Sequence, residues 1–256
     1  MTAPDLPSAT PGANSAHVLV WGATGGIGSA IVRNLHRSGH RVFLAARRAE
    51  RLETLARELG APWQAADARD SAAVEALTQH AATTLGTLDG MTFCAGSVLL
   101  KSAATTSDAE WADTLATNLT AAFYALRAAV RVMSPAGGSI VLVSSAAARI
   151  GLPNHEAVAA AKAGVEGLVR AAAASYARRN IRVNAVAPGL VRTPLTAGIT
   201  GNETALKYSR SLHALGRIGE PGEVAAAICW LLDPVQAWVT GQVLGVDGGL
   251  SVLVPR

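Results

Sequence analysis

The chain has 256 residues, half of them apolar and 16% charged, with a formal charge of +4. One large core is easily filled, and the basic residues are scattered, with no run longer than Arg47-Arg48 or Arg178-Arg179, which speaks against a nucleic-acid stripe and leaves room for a small anionic ligand. Cys94 and Cys229 lie far apart without metal-ligand spacing, no apolar run approaches the roughly 18 residues of a membrane span, and "MTAPDLPSATPGANSA" has no secretory character, so a reduced cytoplasmic protein without metal or membrane is expected.

Residues 1–15, rich in Pro, Ala, Ser and Thr, read as a flexible tail ahead of one domain spanning 16–256. "HVLVWG" (17–22) reads as a buried strand, followed by a helix over 26–38 that Gly39 ends. "RVFLAA" (41–46) is the next strand, and Leu52, Leu55 and Leu59 mark a helix over 49–59. "PWQAAD" (62–67), a helix over 71–85 and "GMTFCAG" (90–96) follow. One long helix is predicted over 108–133 with Asp108 as N-cap, then strand 139–144. A helix over 154–179 with Asn154 as cap precedes strand 181–189. Residues 193–218 show no strong period; a helix over 221–232 and strand 242–249 close the chain. Continuously apolar strands alternating with helices indicate one doubly wound α/β domain, with a parallel sheet covered on both faces.

"GATGGIG" (22–28) lies between the first strand and first helix. Its glycines permit a tight turn and close backbone approach, and the helix N-terminus favours a pyrophosphate. The second strand ends in Arg47 and Arg48 where an acid would meet a free ribose 2′-hydroxyl. Guanidinium groups suit a phosphate monoester, which favours NADP(H) over NAD(H). Asp67, after the third strand, is a candidate acceptor for the adenine amino group or a loop cap.

The chain resembles the short-chain dehydrogenase/reductase superfamily, in particular its acyl-carrier-protein ketoreductase type, over about residues 16–250. The resemblance rests on "GATGGIG", Asp67-Ala68, "CAG" (94–96), Asn118 in "ATNLTAAFYAL", "GSIVLVSS" (138–145), Lys162 in "AAAKAGVEGL", "IRVNAVAPGLVRTPL" (181–195), "GRIGEPGEVAAAICWLL" and "VTGQVLGVDGG". It implies a seven-stranded Rossmann-type sheet in the order 3-2-1-4-5-6-7. It assigns Gly22, Thr24, Gly26, Ile27, Gly28, Ala68, Ala95 and Gly96 to the cofactor, and Pro188, Gly189 and Thr193 to its nicotinamide end. Ser145 would hold the substrate carbonyl, Asn118 a relay water, and Lys162 the nicotinamide ribose. The substrate would be a small carbonyl, alcohol or acyl thioester, and the assembly a homodimer or homotetramer.

Three departures stand out. Val158, thirteen residues after Ser145 and four before Lys162, occupies the place where the family carries a catalytic tyrosine. Trp21 stands where the glycine loop begins with threonine, and Phe93 and Cys94 where two asparagines are usual. The last two changes read as one exchange of a polar tie for packing. Losing a general acid removes about 10²–10⁴ in rate. Tyr176 lies fourteen residues past Lys162, about 21 Å along a helix and out of reach; Tyr124 packs; Tyr208 sits in the segment closing over the substrate. His155, three residues before Val158, is the better candidate donor, as a neutral imidazole at the helix start. A hydroxyl or enol on the substrate is a further source. Three readings follow: a reductase or dehydrogenase with another proton donor; a silent subunit paired with an active paralogue; or dehydration or isomerisation in the same pocket.

Overall fold

A computed structural model describes residues 15–133 and 135–254, so the expected tail lies outside the described residues except for Ser15. Seven strands form the sheet: β1 (His17–Trp21), β2 (Arg41–Ala46), β3 (Trp63–Ala65), β4 (Gly90–Phe93), β5 (Gly138–Val143), β6 (Ile181–Pro188) and β7 (Val243–Val246). All neighbours are parallel, in the order β3-β2-β1-β4-β5-β6-β7. The strand order reverses between β1 and β4, which opens a crevice at their carboxyl ends.

Alternation along each strand feeds two cores. Leu19 and Trp21 point to a cluster with α3 (Ser71–Leu85), α5 (Ala121–Val132) and α6 (Glu156–Tyr176). Val18 and Val20 point to the other face, against α1 (Gly26–Arg37), α2 (Ala49–Leu59) and α9 (Pro221–Leu232). Each fully buried Val, Leu or Ile contributes about 1.5–3 kcal/mol, so these two layers fix the sheet and hence the crevice. Asp70 starts α3 by accepting from the Ala72 and Ala73 amides at 2.9 and 3.1 Å. Buried Arg182 donates to the Leu231 and Asp233 carbonyls at the end of α9, at 2.9 and 3.0 Å.

The expected long helix over 108–133 is helical throughout Asp108–Val132, with a π-helical turn inside it. α4 (Asp108–Leu115) and α5 are joined by a π-helical turn, Ala116–Thr120, that holds Asn118. Ser107, not Asp108, caps α4, in a capping box with Glu110. Residues 193–218, expected to be irregular, contain α7 (Ala197–Thr200) and α8 (Glu203–Leu212), neither with a buried residue. α6 begins at Glu156, two residues later than expected: Asn154 is left-handed (φ 62°) and His155 takes the N-cap position.

Candidate active site

The crevice between β1 and β4 is a cleft of about 390 Å³. The glycine loop forms its floor. A Cβ on Gly28 would stand 2.1 Å from the Gly22 carbonyl oxygen, one on Gly22 2.7 Å from the Ala95 nitrogen, and one on Gly26 2.7 Å from Thr193 Cγ2. No other residue fits those three places without moving backbone or a neighbouring segment. Thr24, Ile27, Asp67, Ala68, Ala95, Gly96 and Thr193 line the same cleft. A cradle of backbone at the N-terminus of α1 fits a dinucleotide pyrophosphate.

Arg47 and Arg48 line the cleft past the end of β2, joined by Arg51 from the first turn of α2. No side chain of the three makes a hydrogen bond or an ion pair among the described residues. Positive charge at a helix N-terminus opposes the helix dipole, and only Glu50 in that turn offsets it. Three exposed cations at the cleft mouth, with Asp67 close enough for Arg47 to act on its carboxylate, make this end of the cleft positive. Arg51 escaped the sequence reading, although it lies one helical turn beyond Arg47. Asp67 is placed differently from a free adenine acceptor. Its carboxylate takes the Arg69 guanidinium at 2.7 Å, and that pairing holds it below the usual carboxylate range. Arg69 also reaches Asp113 at 2.9 Å.

Trp21 and Phe93 are register partners across β1 and β4 and lie in one apolar cluster. The indole N–H of Trp21 is buried without a partner among the described residues. Leaving such a donor bare costs about 1–3 kcal/mol. The exchange of a polar tie for packing is therefore visible, with one polar atom stranded at the cleft wall.

The other candidates gather beyond Gly96, where β5 hands over to α6. The side chain of Asn118 is committed: Nδ2 donates to Ser97 Oγ and the Thr114 carbonyl, both at 3.0 Å, and Oδ1 accepts from the Ser97 amide at 3.1 Å. Ser145 is extended (φ −160°) and its Oγ accepts from the Ala147 amide at 3.2 Å, which leaves its O–H free to donate. Val158 and Lys162 are buried one turn apart on α6. Lys162 Nζ donates to the Val143 carbonyl at 2.9 Å. Pro188 ends β6, and Gly189 packs against His213 in a neighbouring cavity of about 340 Å³. His213 is buried; its Nδ1 donates to the Ser209 carbonyl at 2.6 Å and its Nε2 accepts from the Leu190 amide at 3.1 Å, which pins the end of α8.

His155 donates from Nδ1 to the Pro153 carbonyl at 2.8 Å. A neutral ring held this way presents Nε2 as an acceptor. It donates there only as the imidazolium.

Burial pulls the Lys162 ammonium from 10.5 down to about 8. Between those pH values the unfolded chain keeps a proton that the folded chain has shed, so stability rises with pH across that window. At neutral pH the buried charge costs on the order of 3 kcal/mol. Lys162→Met also forfeits the bond to Val143, so it should stabilise by about 1–3 kcal/mol at neutral pH. The gain should vanish by pH 10.5, the upper end of that window. Urea unfolding at the two pH values checks this; a methionine variant weaker than wild type at neutral pH would contradict it.

Among the described residues no cluster of His, Cys, Asp and Glu could hold a metal ion, and no helix is long and apolar enough to cross a membrane. The sequence family described as enoyl-(acyl carrier protein) reductase matches residues 22–251. The chain is 39% identical to a cis-4-hydroxycyclohexanecarboxylate dehydrogenase of Sinomonas cyclohexanicum, covering 92% of this chain and 96% of the relative. It is 38% identical to a galactitol 2-dehydrogenase (L-tagatose-forming) of Cereibacter sphaeroides, covering 91% and 94%. A crystal structure of a variant actinorhodin polyketide ketoreductase with NADPH superposes with a TM-score of 0.87 at 33% identity, covering 93% of this chain and 98% of that one. Fold, cleft and relatives agree: the chain belongs to the short-chain dehydrogenase/reductase superfamily and is one of its oxidoreductase enzymes.

Proposed function

We propose that the protein moves hydride between NADP(H) and a small carbonyl or alcohol, with a proton source other than tyrosine. The observation that carries the cofactor choice is the trio Arg47, Arg48 and Arg51, unpaired at the cleft mouth where no acid follows β2. In this reading the Gly22–Gly28 loop holds the pyrophosphate, the three arginines the 2′-phosphate, and Ala68, Ala95 and Gly96 flank the adenine end. Lys162, Pro188, Gly189 and Thr193 serve the nicotinamide end. When bound, the cofactor supplies the hydride. Ser145 donates its free O–H to the carbonyl oxygen and orients it.

The relatives named above oxidise a ring hydroxy acid and an open-chain polyol. Leu195 lines the cleft, and Val98 and Leu100 follow Gly96 half-exposed, which favours a substrate with an apolar ring or chain. Half-exposed Phe123 on α5 fits pairing with a second copy of the chain.

Calorimetry tests the cofactor. Wild type should bind NADPH at least about tenfold tighter than NADH, and Arg47→Ala with Arg48→Ala should weaken NADPH by about 10–100-fold while leaving NADH nearly unchanged, since each charge-assisted bond contributes about 1.5–3 kcal/mol. Equal affinity for the two cofactors in wild type would reject the arginine reading.

A further inference from the structure

Around Val158 most polar groups are occupied, the Ser145 hydroxyl that orients the carbonyl apart. Asn118 has three hydrogen bonds, Ser144 donates to the Lys162 carbonyl and to Glu166, and neutral His155 turns an acceptor outward. Lys162 differs. Its ammonium carries three N–H bonds, and one acceptor, the Val143 carbonyl, takes one of them. The side chain is 7% exposed. Gly96 keeps the space beside it open: a Cβ there would lie 3.6 Å from Nζ and 2.9 Å from Asn118 Oδ1. Val158, one turn earlier on the same helix face, puts no polar atom between the ammonium and the reaction centre.

We propose that Lys162 itself is the proton donor to the substrate oxygen, an assignment that rests on the reductase reading above. As hydride reaches the carbonyl carbon, the C=O π pair moves to oxygen. A Lys162 N–H bond breaks, an O–H bond forms, and the lysine is left a neutral amine that regains its proton from water. In the oxidising direction the neutral amine accepts the alcohol proton. Of its three N–H bonds, one holds Val143, one the ribose and one the substrate oxygen.

Charge around Lys162 fits this task. The Cys94 thiol at the end of β4 is pushed up to about 11 by burial and stays neutral. Glu166, one turn further along α6, is taken by Arg149 at 3.1 Å and approached by Arg170 at 4.0 Å. His155 and Glu156 stand at the helix start, where Glu156 accepts from the Ala103 amide at 3.3 Å. Among the described residues no carboxylate is paired with the ammonium, and burial brings it to about 8, close to where a donor at neutral pH is most effective.

The chain has three lysines, Lys101, Lys162 and Lys207, so a 13C-lysine NMR titration resolves each, with Lys162→Arg giving the assignment. The companion measurement is kcat against pH at saturating NADPH, with 4-oxocyclohexanecarboxylate and L-tagatose as probe ketones. The expected result is a Lys162 midpoint near 8 and a reductive kcat that falls on the alkaline side with the same midpoint. Lys162→Arg should lower kcat by about a hundredfold or more and abolish that limb, with NADPH affinity within about tenfold of wild type. If the arginine variant does not fold, the wild-type midpoints decide: a difference above about one pH unit overturns the assignment. A limb that survives Lys162→Arg and disappears in His155→Ala hands the role to His155 and also overturns it. Wild type that binds NADPH yet reduces neither ketone at any pH sinks the reductase reading, and this assignment with it.

Discussion

Val158→Tyr should raise kcat by up to about tenfold above what Lys162 already supplies, because a phenol at this place takes over the donation to the substrate oxygen. The family resemblance puts a phenol at this place, one helical turn before Lys162. The protein meets two physical requirements for it. α6 accepts tyrosine at no helix-propensity cost relative to valine. The buried ammonium of Lys162 on the same face favours a phenolate over a phenol, and so lowers the tyrosine's acidity barrier. Val158 is 5% exposed, so the larger ring has to find room among its neighbours, and a melting curve beside the kinetics shows whether the fold keeps it. Steady-state kinetics at saturating NADPH read the result, with calorimetry to show that the cofactor still binds. An unchanged kcat with intact binding would mean that proton transfer is not what limits the wild-type enzyme.

Gly28→Ala should abolish cofactor binding and weaken the fold together. Its methyl would stand 2.1 Å from the Gly22 carbonyl oxygen and 2.8 Å from its carbon. Both are backbone atoms in the turn joining β1 to α1, so no rotamer change relieves the clash. Relief requires α1 to move off the sheet, at about 1–3 kcal/mol or more. The same movement spreads the loop amides, and NADPH affinity should fall by at least about a hundredfold. Gly222→Ala is the control, since nothing lies within 4 Å of its missing Cβ; it should leave binding alone and gain up to about 1 kcal/mol. A Gly28→Ala protein with wild-type melting and affinity would remove the loop from the binding site.

The sheet was legible in the chain because its inner strands, β2, β1, β4, β5 and β6, are buried on both faces and therefore written largely in apolar residues; β2 and β6 begin where those runs do. The glycine loop was legible because backbone meets backbone there, and no other side chain fits. The turn at Asn118 was not. Apolar periodicity continues through Ala116–Thr120, and a π-helical turn shifts hydrogen bonds without breaking the pattern of side chains. α7 and α8 were missed for the opposite reason: periodicity is a record of burial, and neither helix buries a residue. The tautomer of His155 also depends on structure alone, because Pro153 presents its carbonyl through a left-handed Asn154. Arg51 was missed because a single arginine in a helix reads as surface; its role appears only when β2 and α2 bring it beside Arg47 and Arg48.

The weak seating of α7 and α8 separates two properties that a compact enzyme usually trades against each other. Segments held by few apolar contacts open at free energies far below that of global unfolding. The buried ring of His213 ties the end of α8 to Leu190. α7 and α8 themselves add no buried residue to either core. Where this segment covers the substrate, as the family resemblance implies, entry and escape follow a local equilibrium that can evolve through residues 197–212 while the melting temperature of the domain stays where the sheet puts it.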